Sequence, residues 1–246
     1  MHTDELQLYR GGDYVVNPWM TIHQPTLGEI CDYQETRYFS MVSTLTATPT
    51  DMRWQLWDKL GLDWNEVTEY ELFLRIYSTF SQEETSILFG NLDLPAHRIV
   101  INPQNDEPIL EHPVTGSRID RLAYERMAAY LRKVHGFTRN VERAMNEFTR
   151  DVLIEEAKEN YEMSLKEEKK SFLIPLISTM INFPGFEYNH DTIWDMKISA
   201  FMDSIQRMQH IKRAQLFLDS GYSGFGIDLN KHKNKQELNY FADLWK

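Results

Sequence analysis

With one cysteine in 246 residues, Cys31, the chain can close no internal disulfide and can build no zinc site from thiolates. A solitary thiol of this kind is expected to serve as a small core side chain. No apolar run approaches the ~20 residues that cross a bilayer, and the opening MHTDELQLYRGGDY lacks the basic and apolar regions of a signal peptide. The protein is accordingly expected in the cytoplasm where it is made, with no membrane partner. Positive charge is also scarce. The 26 Lys and Arg against 37 Asp and Glu give a net charge of -11, which disfavours a general polyanion binder, so nucleic acid is not expected as a partner.

Catalytic signatures are missing as well. The densest glycine stretch, Gly221-Tyr-Ser-Gly-Phe-Gly226, follows a helical pattern and has the order Gly-x-x-Gly-x-Gly. That is neither a phosphate-cradling loop ending in Gly-Lys-Ser/Thr nor a dinucleotide fingerprint. It also fails as a serine nucleophile turn, because Ser223 is followed directly by Gly224 and Phe225 stands where the last glycine is needed. Gly221 is instead expected to close a long helix in the left-handed conformation, with Lys212 and Arg213 near the negative end of its dipole. Gly224 and Gly226 then let Tyr222 and Phe225 pack while the backbone turns. A carboxylate-bridged di-iron bundle needs two Glu-x-x-His pairs and two further Glu; only Glu187-Tyr-Asn-His190 fits, in a loop-like setting. No catalytic residue, cofactor or metal is expected.

What the chain does have is apolar material: 42% hydrophobic and 13% aromatic residues, enough for a substantial core. The first 16 residues read as a loose tail leading to one or two strand-like segments around Pro18 and Pro25. From Thr26 a helical rhythm runs through Leu27, Ile30, Tyr38, Met41, Val42 and Leu45, opened by a Thr26/Glu29 capping box. A short helix with Trp54 and Trp57 on one face follows, capped by Thr48 or Thr50 and stopped by Gly61. A third opens with a Thr68/Glu71 capping box. Period-two residues on each side of NPQNDEP predict a two-stranded hairpin, roughly 97 to 101 and 108 to 112. A helix is expected from about Ile119 to Gly136, with Leu122, Met127, Tyr130, Leu131 and Val134 on one face. The charged stretch NVERAMNEFTRDVLIEEAKENYEMSLKEEKK, residues 140 to 170, predicts a solvated helix, with Glu/Lys-rich low complexity near 155 to 170, SFLIPLISTMINFPGF a core helix broken at Pro175 and Pro184, and Trp194, Ile198, Phe201, Ile205, Met208 and Ile211 a long helix over 190 to 219. The expected fold is mainly α (α+β), a helical bundle with a small β-hairpin. Its predicted parts are a tail (1–16), an N-terminal helical subdomain (17–95) and a hairpin plus C-terminal helical domain (96–246).

Two patches are candidates for binding partners. Trp19, Trp54, Trp57 and Trp64 form an aromatic set of the kind that anchors interfaces when exposed and fills cores when not. Arg207, Lys212 and Arg213, with Lys231, Lys233 and Lys235, make a basic cluster in an acidic chain; Tyr222 and Phe225 lie beside it in sequence.

Three phrases, PTLGEICDYQETRYFSMVSTLTATPTDMRWQLWDKLGLDWNEVTEYELF, RIDRLAYERMAAYLRKVHGF and FMDSIQRMQHIKRAQLFLDSGYSGFGIDLNKHKNKQELNYF, resemble proteins of tailed bacteriophages and prophages of Gram-positive hosts. The likeness covers most of the chain from about residue 17. Within that setting the leading strand, the PTLGEI helix start and the helical remainder are similar to tail assembly chaperones. The resemblance implies a non-enzymatic morphogenesis protein in the host bacterial cytoplasm, or in the virion, that binds tape-measure or other tail proteins and can form a homo-oligomer. It also admits a structural virion component of the neck, connector or baseplate. The alternative is a phage-encoded effector that binds a host protein or nucleic acid. No family motif residue transfers to a numbered position.

Overall fold

Three capping boxes punctuate the N-terminal half of the chain. In each, a Thr or Ser side chain accepts from the backbone N–H three residues on while the Glu there accepts from the cap's own N–H: Thr26 with Glu29, Thr68 with Glu71, and Ser81 with Glu84. Two were expected. The third starts a helix that periodicity alone did not separate from its predecessor. The computed structural model describes residues 5–168, 170–222, 234–242 and 244.

Among the described residues the protein is mainly α, with ten α-helices and two small antiparallel sheets. Helix α1 (Glu5–Tyr9) precedes a hairpin of β1 (Tyr14–Asn17) and β2 (Met20–Ile22); then come α2 (Leu27–Tyr33), α3 (Glu35–Leu45), α4 (Arg53–Leu60), α5 (Glu69–Ile76) and α6 (Gln82–Phe89). The second sheet is β3 (Arg98–Ile101), β4 (Pro108–Glu111) and β5 (Arg118–Ile119), in that order. Helices α7 (Arg121–His135), α8 (Glu147–Lys166), α9 (Leu173–Ile181) and α10 (Ile198–Tyr222) follow.

Several expectations are corrected. The stretch expected as a loose tail holds α1, tied down by the Tyr9 hydroxyl donating to Asp203 at 3.0 Å. The helix from Thr26 is two helices, hinged at Gln34 with φ 79°; the bend lets Leu27 and Ile30 of one and Tyr38, Val42 and Leu45 of the other meet the same core. Cys31 is exposed, since α2 turns Leu27 and Ile30 inward. Neither Thr48 nor Thr50 caps α4, whose N-cap is Met52 without a side-chain bond. Thr48 instead exchanges bonds with Asp51, and the Thr50 hydroxyl donates to the Glu142 carbonyl at 3.0 Å. Gly61 and Gly136 do close α4 and α7 in the left-handed conformation.

The hairpin forms where expected and gains a third strand, β5, so it is a three-stranded sheet. Leu122 is exposed, and Ala123 and Tyr124 take the inward positions at the start of α7. Pro175 does not break its helix: it lies in the first turn of α9, where a backbone N–H has no intrahelical carbonyl to donate to and its absence costs no bond. Trp194 falls in a separate 3₁₀ turn (Ile193–Asp195), and α10 begins only at Ile198, whose N–H donates to the Pro25 carbonyl at 2.9 Å. Gly221 lies inside α10, which runs to Tyr222, so it is not the closing residue. Ser223, Gly224, Phe225, Gly226, Lys231 and Lys233 fall outside the described residues, as does the side chain of Tyr222.

The main core draws on both sides of residue 95: Ile22, Leu27, Ile30, Tyr38 and Phe73 pack with Tyr124, Met127, Leu131, Ile198 and Phe201. A smaller cluster of Ala47, Leu56, Trp64, Leu72 and Ile154 joins α4 to α8. Ile154 is the one α8 residue fully buried, so the helix is otherwise solvated as its charge pattern predicts.

Candidate functional site

The two sequence-derived patches are largely occupied by the protein itself. Trp64 is 2% exposed in the smaller core. Trp54 meets the Tyr161 ring at 5.1 Å, and the Arg150 guanidinium lies 4.3 Å over Trp57, so both tryptophans seal α4 against α8. Trp19, at the turn between β1 and β2, is 47% exposed and stands apart from the other three. In the basic cluster, Arg207 donates to the carbonyls of Tyr240 and Ala242 at 2.9 and 2.8 Å, which pins the C-terminal segment to α10. Lys212 lies 4.6 Å over the Phe183 ring and Arg213 pairs with Glu237 at 3.7 Å. Arg207 and Arg213 thus tie α10 to the C-terminal segment, while Lys212 and Arg213 stay exposed.

The structure exposes apolar surface at a place the sequence did not mark. All four residues of β3 are exposed, with Ile99 at 49%, Val100 at 36% and Ile101 at 60%. The ladder explains which backbone groups are open. Asn102 N–H donates to the Glu107 carbonyl at 2.9 Å, and antiparallel pairs alternate between hydrogen-bonded and non-hydrogen-bonded. Val100 and Arg98 therefore bond inward to β4, whereas the N–H and C=O of Ile99 and Ile101 point away from it. Pro108, which has no N–H, sits opposite Ile101, where none is required. The free stretch is short, because at its start the His97 carbonyl already accepts from the Tyr77 hydroxyl at 3.1 Å. His97 itself is held by Ser117 at 2.9 Å and by donating to the Asp93 carbonyl at 2.7 Å, and burial keeps its pKa below the usual histidine value.

A second feature is a cleft of about 760 Å³ between α7, the loop leading into α5, and the strap after α7. Its polar centre is Glu69. That carboxylate accepts from Arg132 at 2.9 Å and from Arg139 at 2.5 Å, while Arg132 also donates to the Thr46 carbonyl. The strap is latched to the α3–α4 region by Arg53 to Glu142 at 2.7 Å and Asn140 to Asp51 at 3.2 Å, and to the loop by Ala144 N–H to Asn65 at 3.3 Å. None of these arginines carried a sequence signal. Arg132 and Arg139 lie 63 and 70 positions from Glu69, too far apart in sequence for any local pattern to pair them.

No protein-family model matches this chain, and comparison with curated proteins and with solved structures likewise gives no match. Among the described residues no helix is long and apolar enough to cross a membrane.

Proposed function

We propose that this chain is a non-enzymatic morphogenesis protein of a tailed phage, a tail assembly chaperone that works in the host bacterial cytoplasm by holding tape-measure or other tail proteins. The observation that carries the reading is the open edge of β3. Ile99 and Ile101 offer two N–H and two C=O groups together with exposed β-branched side chains. An extended segment of a partner can add to such an edge, with backbone bonds supplying affinity and side-chain contacts selectivity. The short length suits a transient hold better than a permanent joint. The resemblance of the three sequence phrases supports the same setting.

The test is mass spectrometry of proteins that co-purify with the tagged chain from cells expressing its neighbouring genes. A long, coiled-coil-rich protein or a tail-tube protein is expected, and its recovery is expected to fall in the Ile99→Lys/Ile101→Lys double variant. Recovery of a host replication or defence protein alone would overturn the reading.

A further inference from the structure

We infer that the open edge of β3 pairs with the same edge of a second copy of this chain, antiparallel about a two-fold axis at Val100, which joins the two three-stranded sheets into one of six strands. The inference rests on the edge from which the proposed function is argued, and gives that edge its occupant while no tail protein is bound. Ile99 and Ile101 each leave an N–H and a C=O pointing away from β4. In an antiparallel join such residues must be matched with residues of the same kind, so Ile99 and Ile101 pair either with each other or with themselves in the second copy.

Three registers satisfy that rule, and the ends of the strand choose among them. Pairing Ile99 with Ile99 brings Ile101 opposite His97, whose carbonyl already accepts from the Tyr77 hydroxyl at 3.1 Å. Pairing Ile101 with Ile101 brings Ile99 opposite Pro103, which has no N–H to give. Pairing Ile99 with Ile101, twice by symmetry, meets all the open groups of both copies in four hydrogen bonds. Val100 then faces its twin in the close, non-hydrogen-bonded pairing, and the β-branched Ile99 and Ile101 lie side by side across the join. The window between those ends is four residues long, the length of β3 itself.

Charge selects the same register. Arg98 is exposed and has no ion pair among the described residues, since Glu111 opposite it on β4 is taken by Arg118 at 2.9 Å. At the other end of β3 the turn 102–107 carries Asp106 and Glu107 and no cation. Glu107 is paired with Arg121 at 3.3 Å, which leaves the exposed Asp106, tied to Asn102 by its N–H donating to the Asn102 carbonyl at 2.9 Å. The inferred pairing sets Arg98 opposite Asn102 of the second copy, within reach of that carboxylate, and does so at both ends of the join. In the Ile99-to-Ile99 register the two arginines would instead lie diagonal to each other, like charge near like. Four residues a side is far below the about 20–30 of a standard interface, so the association is weak and a tail protein can displace it.

The test traps this weak pair by a disulfide. In the full chain carrying Cys31→Ser, which removes the exposed native thiol, Val100→Cys is oxidised with glutathione disulfide. Non-hydrogen-bonded partners lie ~4.5 Å apart at Cα, within disulfide reach, whereas two copies of Ile99→Cys would sit two positions out of register at roughly 8 Å, beyond it. A covalent dimer of twice the 29.2 kDa chain should therefore form from Val100→Cys at least about tenfold faster than from Ile99→Cys or from the unaltered chain through Cys31. Adding Arg98→Glu should slow it about fivefold at low salt, and the difference should vanish in about 0.5 M salt, where exposed charges are screened. A folding defect would not respond to salt in that way. Equal rates for Val100→Cys and Ile99→Cys, no covalent dimer, or an Arg98→Glu effect that salt leaves unchanged would overturn the inference. A Val100→Cys dimer from a chain that captures no tail protein after reduction would refute the proposed function alone, and capture by a chain that forms no such dimer would refute the second-copy pairing alone.

Discussion

The hydroxyl of Tyr38 and Nε2 of His135 lie 2.7 Å apart in the centre of the protein, linking α3 to the end of α7. The other ring nitrogen, Nδ1, is 2.7 Å from the Leu131 carbonyl. A carbonyl can only accept, so Nδ1 carries the proton and Nε2 accepts from Tyr38. The imidazole is therefore neutral with both nitrogens satisfied, and full burial lowers its pKa to about 4. A proton added at Nε2 would displace the Tyr38 bond and place an unpaired charge in the core.

Stability should accordingly fall in acid through this group. The unfolded histidine titrates near 6.5 and the folded one near 4, so between those values the unfolded chain binds more protons and acid favours it. The contribution is fully present above about pH 6.5 and lost as pH falls toward 4, a total on the order of 3 kcal/mol. His97, also lowered by burial, adds in the same direction. Urea unfolding at a series of pH values checks this: the decline should be shallower in a His135→Gln variant, and an equal decline would show that His135 is not its source.

Tyr38→Phe should destabilise the protein by about 1 to 3 kcal/mol, because it leaves Nε2 buried without a donor while scarcely changing the packing. The same variant should raise the histidine's tendency to protonate, visible by NMR titration of the ring. A wild-type midpoint and titration together would refute the assigned tautomer.

Phe201 of α10 is completely buried among core residues from both halves of the chain. Phe201→Ala should cost about 3 to 5 kcal/mol by lost burial and the cavity left behind. If thermal unfolding shows two transitions with only one shifted, the shared core is not a single cooperative unit.

Glu69→Gln removes the charge that holds Arg132 and Arg139. Arg132 is only 12% exposed at its side chain, so a loss of about 1 to 3 kcal/mol is expected from that partner, and little from the exposed Arg139. Denaturation measured with an Arg139→Ala variant alongside separates the two, and equal losses would contradict this assignment.

Gln34 adopts φ 79° between α2 and α3, a conformation that favours glycine. Gln34→Gly should stabilise the protein by about 1 kcal/mol, net of the added freedom of the unfolded chain. A lowered midpoint would mean that the bend is held by the Gln34 side chain and is not strained.

Local chemistry was legible in the residues themselves. Thr26/Glu29 and Thr68/Glu71 announced their helices, Gly61 and Gly136 their ends, and the turn residues between Ile101 and Pro108 their hairpin, because each feature is settled by bonds within a few positions. Ser81/Glu84 was equally readable and marks α6. Long-range choices were not. Gln34 bears no turn signal, and its bend is set by two helices meeting one core. Trp64 as a residue type suits a core or an interface equally, and only packing under α8 made it core. Ile99 and Ile101 looked like any strand residues until the order β3–β4–β5 left their backbone groups at an open edge. Arg132 and Arg139 reached Glu69 only through the tertiary fold. The sequence by itself determined the helix ends and turns that local caps and glycines settle; tertiary structure decided the break at Gln34, the start of α10 at Ile198 and which side chains are covered, since these depend on neighbours remote along the chain.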